Sequence, residues 1–144
     1  MRAVIASELF RLVFLQIATN HKPNIAWFTL DDAIFHAAIF KLQQKYGKTL
    51  PPLEKLHFVT AGAFPYSHEL YHVINAFKAE YFTTLITPGM KDYFYCRILV
   101  EDSSSFLAKG VEGIFQDDPP AEESFQEFVQ ELWAAIRRCP YPIT

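Results

Sequence analysis

Residues 65–100 read PYSHELYHVINAFKAEYFTTLITPGMKDYFYCRILV and carry the clearest secondary-structure signals of the chain. Ser67 is a good N-cap, and an apolar stripe with helical spacing follows it, which predicts an amphipathic helix. Strand-forming residues then flank a Pro88-Gly89 pair, which predicts two strands joined by a tight turn. A helix followed directly by a β-hairpin is therefore the organising feature of the chain. The stripe consists of Leu70, Val73, Ile74, Phe77 and Tyr81.

Two helices are predicted before this segment. Residues 3–19 form an apolar run that Glu8 and Arg11 interrupt, which indicates a buried or amphipathic helix and not a membrane span. The second helix begins at an N-cap on Thr29 and ends at Gly47. Because it is apolar around much of its girth, we expect it to lie at the centre of the fold.

Two more helices are predicted after the hairpin. One covers residues 103–115 and takes its N-cap from the serines at 103–105. The other covers residues 121–138, with acidic residues at its start and arginines at its end, as the helix dipole favours. The expected fold is α+β and mainly helical, in a single domain. Residues 29–100 would form a winged-helix-like core of three helices and a β-hairpin, and residues 101–144 an acidic helical extension.

The composition is that of one folded domain. The 144 residues are 51% hydrophobic and 16% aromatic, which is enough apolar surface for a core without disulfides or metals. Cys96 and Cys139 have no metal-ligand spacing, so we expect a reducing compartment, the cytoplasm. Residues 41–100 carry seven basic against four acidic residues, and residues 101–144 carry three against nine. A domain that binds nucleic acid by itself usually has a stronger basic surface.

Residues 68–72, His-Glu-Leu-Tyr-His, fit the H-E-x-x-H pattern of zinc peptidases. In that chemistry His68 and His72 bind Zn²⁺ from one helical face, and Glu69 activates the bound water. However, His68 falls in the first helical turn, and no third ligand occurs in a recognisable motif. Both histidines also point away from the apolar stripe. We therefore expect neither catalysis nor a cofactor, and keep a zinc-dependent hydrolase as the alternative.

The polar face of the helix that follows Ser67 carries hydrogen-bonding side chains suited to a protein surface or a DNA groove. It would be the third helix of a winged-helix domain, with Lys91 at the tip of the wing. Weak basicity favours a protein partner over DNA, and no membrane partner is expected. His36 lies in an apolar helix and is expected to be a hydrogen-bonded buried residue. The predicted binding residues are Ser67, His68, Tyr71, His72, Asn75, Lys78 and Lys91.

Two segments resemble a known family. GAFPYSHELYHVINAFKAEYF, at residues 62–82, is similar to the G-P-Y-S-x-E-L segment of the Panacea family, antitoxin-associated domains of prokaryotes and phages. KYGKTL, at residues 45–50, resembles the Y-G-x-x-L stretch that precedes it there. The resemblance covers residues 29–98; Glu69 belongs to the E-L pair, and Phe64 replaces a usual glycine. The family implies a small non-enzymatic domain that neutralises a toxin or engages another protein.

The preferred hypothesis is thus an antitoxin-like interaction module that binds a protein partner and, as a weaker candidate, DNA. Two alternatives stay open. One is the zinc peptidase at residues 68–72, which predicts bound metal. The other is a structural subunit whose first and last helices pack against a second copy of the chain, which predicts a homodimer.

Overall fold

The structure, a computed structural model, describes residues 1, 3–21, 27–80, 82–86, 92–96 and 100–138. Within these residues the chain is mainly helical, as predicted, with six helices and one antiparallel pair of strands. None of the described helices is long and apolar enough to cross a membrane. The elements in chain order are α1 (Ala6–Asn20), α2 (Asp32–Tyr46), α3 (Pro51–Glu54), α4 (His68–Glu80), β1 (Phe82–Ile86), β2 (Asp92–Cys96), α5 (Val100–Phe115) and α6 (Pro119–Ile136).

Helix α1, and not α2, lies at the centre of the core. The buried residues of α1 occupy every side of the helix, whereas those of α2 form a single stripe. The prediction that the second helix is central was wrong. Several of its apolar residues are alanines, and an alanine near the surface costs little free energy because its apolar area is small. Helices α5 and α6 pack against α1, and α2 packs against α6.

Phe28 contacts three parts of the chain, namely β2, the end of α6 and α1. Its backbone N–H and C=O both form hydrogen bonds of 2.9 Å with Phe94 on β2, and it is also bridged to Arg137 after α6. Its fully buried ring stacks on Phe14 of α1 at a centroid distance of 5.6 Å. The short extended segment around Phe28 therefore lies between β2 and the end of α6, and it joins the strand pair to the helical core.

The amphipathic helix and the strand pair lie where the sequence predicts them. On α4, Leu70, Ile74 and Phe77 are buried and Val73 is partly buried, which confirms most of the predicted stripe. Tyr81 and the predicted turn at residues 87–91 lie outside the described residues. The strands pair in the register Phe82↔Cys96, Thr83↔Tyr95, Thr84↔Phe94, Leu85↔Tyr93 and Ile86↔Asp92.

Two predicted helix caps were wrong. Asp31, and not Thr29, is the N-cap of α2, because the Thr29 N–H donates to the Ile136 carbonyl at 2.9 Å and holds that residue in the extended segment. The Thr29 hydroxyl instead accepts a hydrogen bond of 3.1 Å from the Asp31 N–H. Helix α5 begins at Val100, so the serines at 103–105 lie inside it. Acidic residues directly before those serines favour the earlier start.

The last helix carries the predicted apolar stripe. Its N-cap is Asp118, whose carboxylate accepts a hydrogen bond of 3.2 Å from the Ala121 N–H. Both α1 and α6 cover their apolar faces within the chain itself, so these faces supply no reason for a symmetric partner. The stripe residues Phe125, Phe128, Val129, Leu132 and Ile136 are buried, and Trp133 is partly buried.

Candidate functional site

The start of α4 is fixed by two hydrogen bonds between buried groups. The Ser67 hydroxyl accepts a hydrogen bond of 3.2 Å from the Leu70 N–H, which confirms the predicted N-cap. The Ser67 N–H donates to Nδ1 of His36 on α2 at 3.0 Å. Ser67 and His36 are 0% and 1% exposed. The prediction that Ser67 is an exposed binding residue was therefore wrong, because a capping hydroxyl faces the helix end and not the solvent.

His36 is the buried, hydrogen-bonded residue that the sequence predicts. Because its Nδ1 accepts a hydrogen bond, that nitrogen carries no proton, and the neutral ring holds its proton on Nε2. Nε2 lies 3.6 Å from Oδ1 of Asp32, one turn earlier on α2. Burial lowers the pKa of His36 below its ordinary value of 6.5; the Asp32 carboxylate opposes this shift, and the Lys78 ammonium adds to it.

His68 and His72 project from α4 into solvent, as the helical spacing predicts. Both residues are exposed, and their Nε2 atoms lie 2.9 Å apart. The ring centroids are 4.3 Å apart, and the ring planes are at 84° to each other. One neutral imidazole can thus donate a hydrogen bond to the other. The two side chains bring a pair of nitrogen atoms together outside the helix.

A row of aromatic rings connects the exposed histidines to the core. The Tyr66 ring stacks on the buried His36 ring with centroids 4.8 Å apart and 5° between planes. The centroid of the Tyr71 ring lies 6.2 Å from that of Tyr66 and 5.6 Å from that of His72. Two backbone hydrogen bonds with Val59, of 2.8 and 3.0 Å, hold Tyr66 in place. The pairing of Tyr66 with Val59 was not predicted from the sequence, because it closes an irregular loop that has no periodic pattern.

Glu69 is directed back toward the start of α4. Its Oε2 accepts a hydrogen bond of 2.8 Å from the Ser67 hydroxyl. Its own backbone N–H, followed by that hydroxyl, lowers the pKa of Glu69 below its ordinary value. The carboxylate therefore serves the helix start, where a negative charge is favourable. Within the described residues, moreover, no three His, Cys, Asp or Glu side chains lie close enough together to hold a metal ion.

The other predicted binding residues differ in exposure. Asn75 is exposed on the turn after His72, and Tyr71 is half-buried. Lys78 is half-buried, and its Nζ lies 5.4 Å from the centroid of the Phe94 ring on β2. The ammonium group therefore already makes a cation–π contact within the chain. Lys91 lies outside the described residues. The residues that the structure brings together are His68, Tyr71, His72 and Asn75, called the α4 surface below.

Similarity to known proteins does not assign this surface. No family model, no curated protein and no solved structure matches the chain. The resemblance to the Panacea family therefore stays a prediction. What the α4 surface can do has to be inferred from its own chemistry, namely exposed imidazole and amide groups around a tyrosine, on a helix with a fixed start.

Proposed function

We propose that this chain is a non-enzymatic, antitoxin-like interaction module that binds a protein partner through the α4 surface. The observation that carries the proposal is that α4 turns its apolar stripe into the core and leaves His68, His72 and Asn75 exposed around Tyr71. Tyrosine and histidine combine apolar area with hydrogen-bonding groups, a combination suited to protein interfaces. Because the first turn of α4 is anchored, binding would cost little ordering entropy.

The order of elements supports a winged-helix-like core. A helix, a short extended segment, further helices and a strand pair follow one another, and the segment at Phe28 pairs with β2. We propose this arrangement for residues 29–100 and extend it upstream to include Phe28 and α1. The helix before the strand pair is the ligand-contacting helix in such domains, and α4 holds that place.

The antitoxin-like role is supported by the roles of the residues that carry the Panacea resemblance. In the P-Y-S-x-E-L segment, Ser67 caps α4, Glu69 accepts a hydrogen bond from it, and Leu70 is fully buried. These residues build the helix start, and His68, which lies between them, and Tyr71, which follows them, are left to contact a partner. Within this proposal the partner is a protein such as a toxin, and the module acts in the prokaryotic cytoplasm.

DNA is the weaker candidate ligand. Along α4 the exposed acid Glu69 offsets Lys78, and the Lys78 ammonium already lies over the Phe94 ring. If DNA bound through Lys78 and Lys91, the affinity for a duplex would fall steeply between about 50 and 200 mM salt, because each phosphate contact releases counterions. An affinity for duplex DNA that does not change with salt would argue against this ligand.

Site-specific photocrosslinking in cells that naturally produce the chain tests the proposed protein partner. A photoreactive amino acid at Asn75 is expected to give a discrete crosslinked protein, and one at Gln44, exposed on α2, is not. Adding Tyr71→Ala and His72→Ala is expected to lower the yield at position 75 by about tenfold or more. Equal crosslinking at both positions, or a yield that the two alanines leave unchanged, would refute the proposal.

The peptidase alternative has less support. Its general base would be Glu69, whose carboxylate is engaged by the Ser67 hydroxyl, and the described residues provide no third ligand beside His68 and His72. Hydrolysis by a zinc-bound water needs a base within hydrogen-bond reach of that water and a metal held by three protein ligands. The described geometry supports neither requirement.

A further inference from the structure

We propose that His68 and His72 form a binding site for a divalent late first-row transition-metal ion, which Cu²⁺ and Ni²⁺ fit best. The two Nε2 atoms lie 2.9 Å apart on adjacent turns of α4, and both side chains are exposed. Neutral imidazole nitrogen is a preferred ligand of these ions. The site involves no catalytic base, and it does not depend on the identity of the protein partner.

The separation of the two nitrogens favours particular coordination geometries. Two nitrogens 2.9 Å apart, each about 2.0–2.1 Å from one ion, subtend an angle of about 90° at that ion. This is the angle between neighbouring ligands in square-planar and octahedral complexes, which Cu²⁺ and Ni²⁺ form. A tetrahedral ion such as Zn²⁺ needs the two nitrogens at about 3.3 Å. Cu²⁺ and Ni²⁺ therefore require less movement of the side chains.

The backbone that carries the two ligands is held in position before a metal binds. His68 directly follows Ser67, which is fully buried and hydrogen-bonded both to Leu70 and to His36. The Tyr71 ring lies between the two histidines in sequence, with its centroid 6.4 Å from that of His68. Because the anchored helix holds the backbone of both residues on adjacent turns, chelation mainly costs the rotamer freedom of two side chains.

Two protein ligands leave several coordination positions for other donors. No third His, Cys, Asp or Glu joins the pair within the described residues, and Glu69 is directed to Ser67. The remaining positions can take water or a donor group of a molecule bound to the α4 surface. The proposed site is thus an open, exchangeable metal site, which distinguishes it from a structural site with four protein ligands.

Isothermal titration calorimetry of the full chain with NiCl₂, CuCl₂, ZnCl₂ and MgCl₂ tests the proposal. We expect one equivalent of Cu²⁺ or Ni²⁺ to bind, Cu²⁺ more tightly than Zn²⁺, and no binding of Mg²⁺, which prefers oxygen ligands. His68→Ala and His72→Ala are each expected to lower the affinity for Ni²⁺ by more than about tenfold. The matched control, Gln44→Ala at an exposed position of α2, should leave that affinity unchanged.

Two further measurements keep the result interpretable. Circular dichroism should show unchanged helix content in each alanine variant, because both histidines are exposed. In imidazole ¹⁵N spectra, adding diamagnetic Zn²⁺ should shift the Nε2 resonances of both histidines. The proposal is overturned if His72→Ala binds Ni²⁺ as the unmodified chain does. It is equally overturned if His57→Ala, which removes an exposed histidine outside α4, lowers the affinity as much.

Discussion

His36 and Ser67 position the α4 surface without belonging to it. The Ser67 N–H is buried and needs an acceptor, since an unpaired buried amide costs about 1–3 kcal/mol. Nδ1 of His36 supplies that acceptor across a separation of 31 residues. One side chain on α2 therefore helps to hold the start of α4, the helix from which His68 and His72 project.

The link between His36 and Ser67 predicts a dependence of stability on pH. Because burial lowers the pKa of His36 in the folded chain below its unfolded value of 6.5, the neutral ring stabilises the fold above that value. This stabilisation is lost as the pH falls from about 6.5 through the lower folded-state pKa. Urea unfolding at about pH 7.5 and pH 5.5 should show the decrease. His36→Asn keeps an acceptor near Nδ1 but does not titrate there, so an equally steep decrease in that variant would contradict the assignment.

Loss of the Ser67 hydroxyl is predicted to destabilise the chain. Ser67→Ala removes the acceptor of the Leu70 N–H and the donor to Glu69, so the free energy of unfolding should fall by about 1 kcal/mol. Glycine replaces a capping residue with a loss of only a few tenths of a kcal/mol, so Ser67→Gly should be milder. Chemical denaturation measures both changes. If Ser67→Ala unfolded at the same denaturant concentration as the unmodified chain, the hydroxyl would not act as a cap.

At the scale of the elements, α1 and α5 approach each other closely at a glycine, Gly110. A Cβ at Gly110 would clash with the side chain of Leu12, which is buried in the core, whereas a Cβ at Gly113, one turn later, would meet open space. Both glycines lie within α5, where alanine is the better helix former. The two positions therefore have nearly the same helix propensity and differ in their packing against α1.

Gly113→Ala is predicted to stabilise the chain and Gly110→Ala is not. The first substitution should raise the free energy of unfolding by up to about 1 kcal/mol through helix propensity. The second gains the same propensity but must displace Leu12, so it should be less stable than Gly113→Ala by about 1–3 kcal/mol. Thermal or urea unfolding of the two variants in parallel gives the comparison. A Gly110→Ala variant as stable as Gly113→Ala would show that α1 and α5 can separate freely.

For the whole molecule, the C-terminal helices are part of the core and not an extension of it. Leu9, Phe10 and Phe128 are fully buried where α1 meets its neighbours, and the rings of Phe10 and Phe128 lie 6.4 Å apart. The Phe28 segment is also bridged to Arg137 after α6. The predicted division of the chain at residue 100 thus does not correspond to a boundary in the packing of the core.

A fragment of residues 1–100 is accordingly predicted not to fold alone. Without α5 and α6, the buried face of α1 would be exposed to water, at a cost of about 1.5–3 kcal/mol for each large apolar side chain. That loss exceeds the usual stability of a domain of this size. Circular dichroism and amide proton dispersion of the fragment, beside the full chain, measure the outcome. A fragment with a cooperative unfolding transition would contradict this account.

Much of the local structure could be predicted from the amino-acid sequence. The apolar stripes of α4 and α6, the cap at Ser67, the strand segments and the outward direction of His68 and His72 follow from helical and strand periods, which are local properties. The class of a mainly helical chain follows from them as well. Where local signals competed, as at Thr29 and at the serines of α5, prediction from sequence failed.

Three features depend on the packing of the folded chain: which helix is central, which buried acceptor holds the start of α4, and how far apart the Nε2 atoms of His68 and His72 lie. The contacts of Ser67 with His36 and of Phe28 with Phe94 join residues that are distant along the chain. Such contacts leave no periodic trace, because they depend on how the elements pack after each has formed. The 2.9 Å between the two Nε2 atoms likewise depends on side-chain rotamers within the folded helix surface.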